Sequence, residues 1–360
     1  MPTLVFTGGG TAGHVMPNLA LAPRLREQGW TLHYIGSAAG PERTLAEGAG
    51  IPFHAVATGK LRRYFSWRNF TDPARVIAGA FQAFSRLGTL KPDLVFSKGG
   101  FVAVPVVYAA RLRGIPVVLH ESDLTPGLAN RLCLRLCRRI CVSFPETRDH
   151  LPASARAKCI LTGSPIRPEL LRGDKAAGLA FLGFTTDKPV LLVMGGSLGA
   201  KAVNEALRAN LDWILKTHQI VHLCGKGWLS PEADAPGYRQ FEFLGAELAD
   251  VMAAADAVVS RAGANSLFEL LALRKPMLLI PLPGKASRGD QILNAESFAH
   301  RGLAHVLLQE NLAPEVLRDA LARLGHDAPT LIRNMEASGL SHGTGRVLEV
   351  IAGEVGAPLP

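Results

Sequence analysis

"LVFTGGGTAGHVMPNLALAPRL" (residues 4–25) runs from an apolar stretch through a glycine-rich turn into an amphipathic segment, and "VLLVMGGSLGAKAVNEALRANL" (residues 190–211) repeats the device. A strand, a tight turn and a helix, once in each half, is the opening unit of a parallel α/β sheet. Further strand-like runs alternate with helical patterns. In the first half they are "LVFT", "LHYIG", "LVFS", "PVVLH", "ICVS" and "CILTG". In the second they are "VLLVMG", "IVHLCG", "FEFLG", "AVVS", "PMLLIP" and "AHVLL". The expected fold is α/β, with two Rossmann-like, doubly wound parallel sheets. At 360 residues the chain is long enough for two domains. The stretch "LTGSPIRPELLRGDKAAG" (residues 161–178), with Pro165 and Pro168, reads as their linker. A cleft between the two sheets would be lined by the carboxyl ends of strands, where open α/β sheets bind ligands.

The first turn can be read as G-x-G-x-x-G through Gly8, Gly10 and Gly13. A dinucleotide fold places Asp or Glu at the end of its second strand to hold the ribose. Here that strand ends in Gly36 and Ser37, and the next carboxylate is Glu42. The dinucleotide reading therefore lacks its companion residue. The turn retains a physical use, because unpaired N–H groups at a helix start favour negative charge or hydroxyl oxygens.

Apolar residues make up 48% of the chain and charged residues 19%, a globular composition. The N-terminus has no basic region before its apolar residues and does not read as a signal peptide. The apolar stretch 101–122 is interrupted by Pro105, Arg111, Arg113 and Pro116, unlike a membrane span. A soluble or peripheral protein is expected. Five cysteines is an odd number, and Cys133, Cys137 and Cys141 stand four apart with no His or Cys completing a metal spacing. Reduced, buried thiols are expected, with no metal and no cofactor.

Residues 1–165 hold 20 Lys+Arg against 9 Asp+Glu, net +11; of the chain's 39 and 30, the remainder holds 19 and 21, net −2. The surplus points to an anionic partner for the first half. "GKLRRYFSWRNFTDPARVIAGAFQAF" (residues 59–84) interleaves Lys60, Arg62, Arg63, Arg68 and Arg75 with Tyr64, Phe65, Trp67, Phe70, Phe81 and Phe84. Aromatic and basic residues together suit an anionic membrane surface. RNA could use the same composition, but the membrane is preferred and no nucleic-acid partner is expected. Phe81 or Phe84 is expected in the core.

Taken in order, "GGGTAGHVMPN" (8–18), "HESDLTPGLAN" (120–130), "GSPIR" (163–167), "MGGSLGA" (194–200), "SRAGANSLFEL" (260–270) and "GDQILNA" (289–295) closely resemble the MurG family of N-acetylglucosaminyltransferases of peptidoglycan synthesis. The resemblance runs from near the N-terminus to about residue 300. It implies a GT-B fold, with an acceptor- and membrane-facing domain at residues 1–165 and a UDP-GlcNAc-binding domain at 166–342. The helix at 343–356 would pack back on the first domain. It also implies inverting transfer of N-acetylglucosamine from UDP-GlcNAc to the muramoyl 4-hydroxyl of undecaprenyl-linked lipid I, giving lipid II. Such a protein would sit peripherally on the cytoplasmic face of the cell membrane.

Residue by residue, the resemblance places the donor diphosphate on Gly196 and Ser197, where helix-start amides contribute roughly 0.3–1 kcal/mol per nearby charge. It places the nucleotide on Ala264, Asn265 and Ser266, with Glu269 accepting from both ribose hydroxyls. A backbone amide at Leu244 would contact uracil. Arg167 and Arg261 would lie around the donor, and Gln291 and Asn294 would read the sugar hydroxyls. The plainer readings are an N-cap at Ser197 and a capping box of Ser266 with Glu269. In the first half, Thr11, Ala12 and Gly13 would close over the donor, and His14 or Glu121 would take the proton of the attacking hydroxyl; a helix-capping role for His14 is the alternative. Two positions depart from the family: Asp123 stands where asparagine is frequent, and Ala12 where glycine is. An ionised Asp123 accepts hydrogen bonds but donates none.

Rival readings are a UDP-sugar epimerase or a diacylglycerol glycosyltransferase on the same fold, an NAD(P) oxidoreductase, and a non-catalytic membrane scaffold. No Asp-x-Asp metal ligand pair appears, so helix starts and arginine would carry the leaving-group charge.

Overall fold

The computed structural model describes residues 1–59, 68–196, 199–284 and 289–357, with residues 68–74 described through their backbone alone. The chain divides into two compact units. One comprises Met1–Arg167 with His342–Pro360, the other Pro168–Ser341. The C-terminal segment thus belongs to the first unit.

In the first unit seven strands pair in parallel: β1 (Thr3–Thr7), β2 (Thr31–Ser37), β3 (Phe53–Val56), β4 (Leu94–Ser97), β5 (Val117–Glu121), β6 (Arg139–Val142) and β7 (Cys159–Leu161). Their order is β3-β2-β1-β4-β5-β6-β7, so the winding reverses between β1 and β4. Leu4 lies opposite both Leu32 and Leu94, which sets the central register. The central strands are mostly apolar because both faces are covered. Val5, Ile35 and Val95 pack on the face carrying Ala83, Leu87 and Val106, whereas Leu4, Phe6, Tyr34 and Phe96 pack on the face carrying Leu21, Leu25 and Ile351. Ile351 comes from the C-terminal helix Gly343–Val355, whose Glu354 also meets Arg138 and Arg139 at 2.9 Å each.

The second unit has six parallel strands: β8 (Val190–Met194), β9 (Gln219–Leu223), β10 (Tyr238–Phe241), β11 (Ala257–Ser260), β12 (Met277–Leu279) and β13 (His305–Val306). The order β10-β9-β8-β11-β12-β13 places the reversal between β8 and β11. This is the two-sheet architecture expected. Two strands differ from the reading. β3 was not anticipated: it is a short edge strand interrupted by His54, so its apolar signal is weak. β10 ends at Phe241, where its pairing with Leu223 of β9 stops, so most of "FEFLG" is loop.

Three helices of the first unit matter here: α1 (Met16–Glu27), α2 (Glu42–Gly48) and α3 (Arg68–Leu90). On α3 the expectation of a core phenylalanine fails, since Phe81 is 73% and Phe84 37% exposed. The inward row is Gly79, Ala83 and Leu87, four residues apart; a Cβ on Gly79 would collide with the Ala57 carbonyl. Such close approach reserves the Gly79 position for a residue without a side chain and turns Ile77, Phe81 and Phe84 outward. Lys60, Arg62, Arg63, Tyr64, Phe65 and Trp67 lie outside the described residues, as do the side chains of Arg68 and Phe70.

The opening glycine turn is held from within. Glu42, the first residue of α2, is fully buried; its Oε2 accepts from the Gly10 N–H at 3.2 Å and its Oε1 from the Ser37 N–H at 3.1 Å. One carboxylate therefore ties the β1 turn to the end of β2. A Cβ on Gly9 would lie 2.6 Å from this carboxyl, and one on Gly40 2.0 Å, so glycine there makes room for it. The turn is occupied by the chain's own anion, at the place where a dinucleotide fold would meet its cofactor. The Glu42→Gln substitution keeps the shape but points an amide N–H at one of these donors. We expect it to lower stability by about 1–3 kcal/mol, the cost of an unsatisfied buried group, seen as an earlier urea midpoint. An unchanged midpoint would refute the bridging role.

Candidate active site

Parallel strands leave all their carboxyl ends at one edge of a sheet, and the motif residues cluster there in each unit. In the first unit the turn after β1 leads into the short helix Ala12–His14 and then α1. Thr11, Ala12 and Gly13 are exposed and His14 is half-buried. Thr11 Oγ1 pairs with His14 Nδ1 at 2.9 Å, which orients the imidazole. The N-cap of α1 is Val15 and carries no side-chain cap, so the capping role considered for His14 is not seen.

Glu121, the other candidate base, ends β5 and is buried. Its Oε1 accepts from the Asp123 N–H at 3.1 Å; its Oε2 accepts from the Gly127 N–H and from Asn130 Nδ2, both at 2.9 Å. This carboxylate folds the 121–127 loop back onto the helix Leu128–Cys133. Taking up a proton would break that scaffold, so the geometry favours His14 of the two. Asp123, half-buried, is presented by the loop that Glu121 shapes.

Sequence reasoning gave no role to two groups here, Glu42, noted only as the next carboxylate after the second strand, and Lys98. Lys98 follows β4 directly and is 3% exposed, with Nζ 2.6 Å from His120 Nδ1. The available signal was a lysine between a buried strand and the pair Gly99–Gly100 in "LVFSKGG". The cysteines behave as expected: Cys133, Cys137 and Cys141 are buried free thiols, and burial pushes each thiol up, to about 12, 11 and 12.

In the second unit the turn after β8 holds Gly195 and Gly196 and leads to the helix Lys201–Arg208. Ser197 lies outside the described residues. The helix has Ala200 as its N-cap and no side-chain cap. Across the reversal point, after β11, the helix Ala264–Ala272 starts at Gly263, also without a side-chain cap. Ser266 and Glu269 stand at its third and sixth positions, so they form no capping box. Glu269 is a buried carboxylate on a helix whose Leu267, Phe268, Leu270 and Leu271 are fully buried, while Asn265 and Ser266 are half-buried.

Arg261, Gln291 and Asn294 do come together, at the ends of β11 and β12. The Arg261 Nη1 donates to the Ile280 and Pro281 carbonyls at 3.0 and 3.2 Å, and its Nη2 to Gln309 Oε1 at 2.6 Å. Gln291 Oε1 accepts from the Leu282 N–H at 3.0 Å. Asn294 is fully buried and donates to the Ala262 carbonyl at 3.3 Å. These side chains shape the two loops. Leu244 lies half-buried in the loop after β10, and Arg167 is the last residue before the boundary between the units.

Comparison with known proteins accords with this arrangement. Residues 4–142 match the glycosyltransferase family 28 N-terminal domain and residues 190–347 its C-terminal domain. The chain is 53% identical to the UDP-N-acetylglucosamine–N-acetylmuramyl-(pentapeptide) pyrophosphoryl-undecaprenol N-acetylglucosamine transferase of Lachnoclostridium phytofermentans, covering 98% of each chain. It is 55% identical to the second such transferase of Bacillus cereus, over 88% of this chain and 90% of that one. The crystal structure of Acinetobacter baumannii MurG superposes with a TM-score of 0.77 at 28% identity, covering 98% of this chain and all of that one. With both of its units matched in order and its relatives aligned almost end to end, the chain belongs to the MurG family of GT-B glycosyltransferases.

Proposed function

We propose that this chain moves N-acetylglucosamine from UDP-GlcNAc to the muramoyl 4-hydroxyl of a lipid-linked muramoyl-pentapeptide pyrophosphate, with inversion. The observation carrying the reading is the near full-length identity above 50% to transferases named for that reaction, on a chain whose motif residues stand at strand carboxyl ends in both units. The donor belongs to the second unit. The glycine turn at Gly195 and Gly196 and the start of the helix Ala264–Ala272 offer N–H groups to the diphosphate and nucleotide. Glu269 accepts from the ribose hydroxyls, and the Leu244 amide meets uracil. Arg261 and Gln291 hold the loops around the donor, while Arg167 adds charge for the departing UDP. The acceptor belongs to the first unit, with His14 as base and Glu121 and Asp123 in the loop beside it.

The acceptor is lipid-linked, and the outward face of α3 suits an anionic membrane surface. Ile77, Phe81 and Phe84 are exposed there, and Arg75 stands close in sequence. Among the described residues no helix is long and apolar enough to cross a membrane. Docking on the cytoplasmic leaflet through this face is the localisation proposed.

The deciding experiment is UDP release from UDP-GlcNAc with and without a lipid I analogue. Release that requires the analogue is expected. Release indifferent to it would overturn the proposal, and a changed sugar nucleotide from UDP-GlcNAc alone would favour the epimerase reading. His14→Ala should lower kcat by about 10²- to 10⁴-fold, the usual contribution of a general base, with the KM for UDP-GlcNAc little changed. Glu269→Ala should raise that KM by roughly 10- to 100-fold, as expected for lost hydrogen bonds to a charged acceptor. Phe81→Asp should reduce co-sedimentation with anionic vesicles; equal sedimentation of variant and wild type would remove α3 from the docking face.

A further inference from the structure

A buried lysine stands at the carboxyl end of β4, beside the point where the first sheet reverses, and no motif accounts for it. Lys98 Nζ lies 2.6 Å from His120 Nδ1 and also hydrogen-bonds Ser122 Oγ. On the far side of the ring, His120 Nε2 is 3.0 Å from the Gly163 carbonyl. A carbonyl only accepts, so Nε2 carries the imidazole hydrogen, Nδ1 is the acceptor, and Lys98 is the donor. One ammonium thus fixes a histidine on β5 and a serine in the loop that follows. Lys98 and His120 are buried, whereas Ser122 and Asp123 are half-buried, so the network ends at side chains that solvent reaches.

A lysine buried this completely is costly unless its charge is used. The titratable groups facing it are His120 on β5, Glu121 and Asp123 at and beyond the end of β5, and Cys141 on β6. Neighbouring Gly8 and Asn130 bring no charge. We propose that Lys98 is a positioning residue of the acceptor side: its ammonium holds Ser122 and His120 and so sets the 121–127 loop that presents Asp123. The inference rests on the lipid-linked acceptor proposed above and adds a residue to it. Burial pushes the Lys98 ammonium down to about 7, against the opposing pull of Glu121, Asp123 and Cys141. The positioning form is the protonated one, so its contribution is present below about pH 7 and lost as pH rises through that value.

The test is kcat/KM for the lipid I analogue across pH, on the full chain. Lys98→Met should lose about 10- to 100-fold at low pH, the scale of a missing charge-assisted hydrogen bond, while the KM for UDP-GlcNAc stays within roughly two-fold. Lys98→Arg keeps its charge and should abolish the alkaline decline that the wild type shows. Wild-type acceptor use by Lys98→Met, or an alkaline decline that persists in Lys98→Arg, overturns the proposal. Should Lys98→Met fail to fold, Ser122→Ala takes its place: a matching loss supports the inference and full acceptor use overturns it. A wild type without turnover sinks the proposed function instead. Carbon-13 NMR of ε-labelled lysine in the full chain then decides Lys98 separately, through a resonance titrating near 7 that disappears in Lys98→Arg. Absence of that resonance overturns the charge assignment.

Discussion

Parallel pairing is the constraint on which the rest depends. Because all strands of a sheet run the same way, each unit gathers its strand carboxyl ends at one edge, and helices must cover both faces before the backbone can be buried. The chain meets this with apolar strands whose alternate residues feed two cores: Val5, Ile35 and Val95 on one side of the first sheet, Leu4, Phe6 and Phe96 on the other. Chemistry is then left to the loops at a single edge, anchored on a scaffold that does not need them for its own core.

Within those loops the polar residues divide into those that hold and those that face outward, and the division differs between the units. In the first, anions are turned inward: Glu42 bridges two backbone N–H groups and Glu121 binds three donors, leaving the exposed Thr11–Gly13 turn and half-buried His14 to meet other molecules. In the second, Arg261, Gln291 and Asn294 brace the loops near β11 and β12, and the helix starts at Ala200 and Gly263 lack a side-chain cap, as does that of α1 at Val15. A helix start without a side-chain cap suits an anion, and the reading proposed above places the donor diphosphate at these two.

Most strands were legible in the sequence because burial on both faces leaves an uninterrupted apolar run that little else produces. β3 was not, since an edge strand carrying His54 has half the apolar signal, and the limit of β10 was set by its partner β9 and not by its own residues. Motifs located the loops but not the direction of each side chain. Asn294 and Glu121 sit within recognisable patterns, yet tertiary neighbours turn both inward, toward the Ala262 carbonyl and toward Asn130. Lys98 was hidden for a related reason: in a half with 20 basic residues, one more lysine carries no signal until its burial is known. Phe81 and Phe84 were misplaced because the close approach of Gly79 to the Ala57 carbonyl decides which row of α3 faces the sheet, and that contact lies 22 residues apart in sequence.

Charge follows the same division of labour. The +11 surplus of residues 1–165 is mostly held by arginines near the surface, where salt screens it over about 10 Å at 0.1 M ionic strength. Such a field draws the first unit toward an anionic surface and weakens as salt rises. Lys98 is different, because a charge buried away from water is little affected by salt and acts only on the groups close to it. The second unit, close to neutral, would grip its anion through backbone N–H groups whose partial charges are fixed by helix geometry. On the proposed reading, one chain therefore recognises two phosphate-bearing molecules by different means: a broad, screenable cationic surface that brings it to the lipid, and a short-range, oriented set of amides that selects the nucleotide sugar.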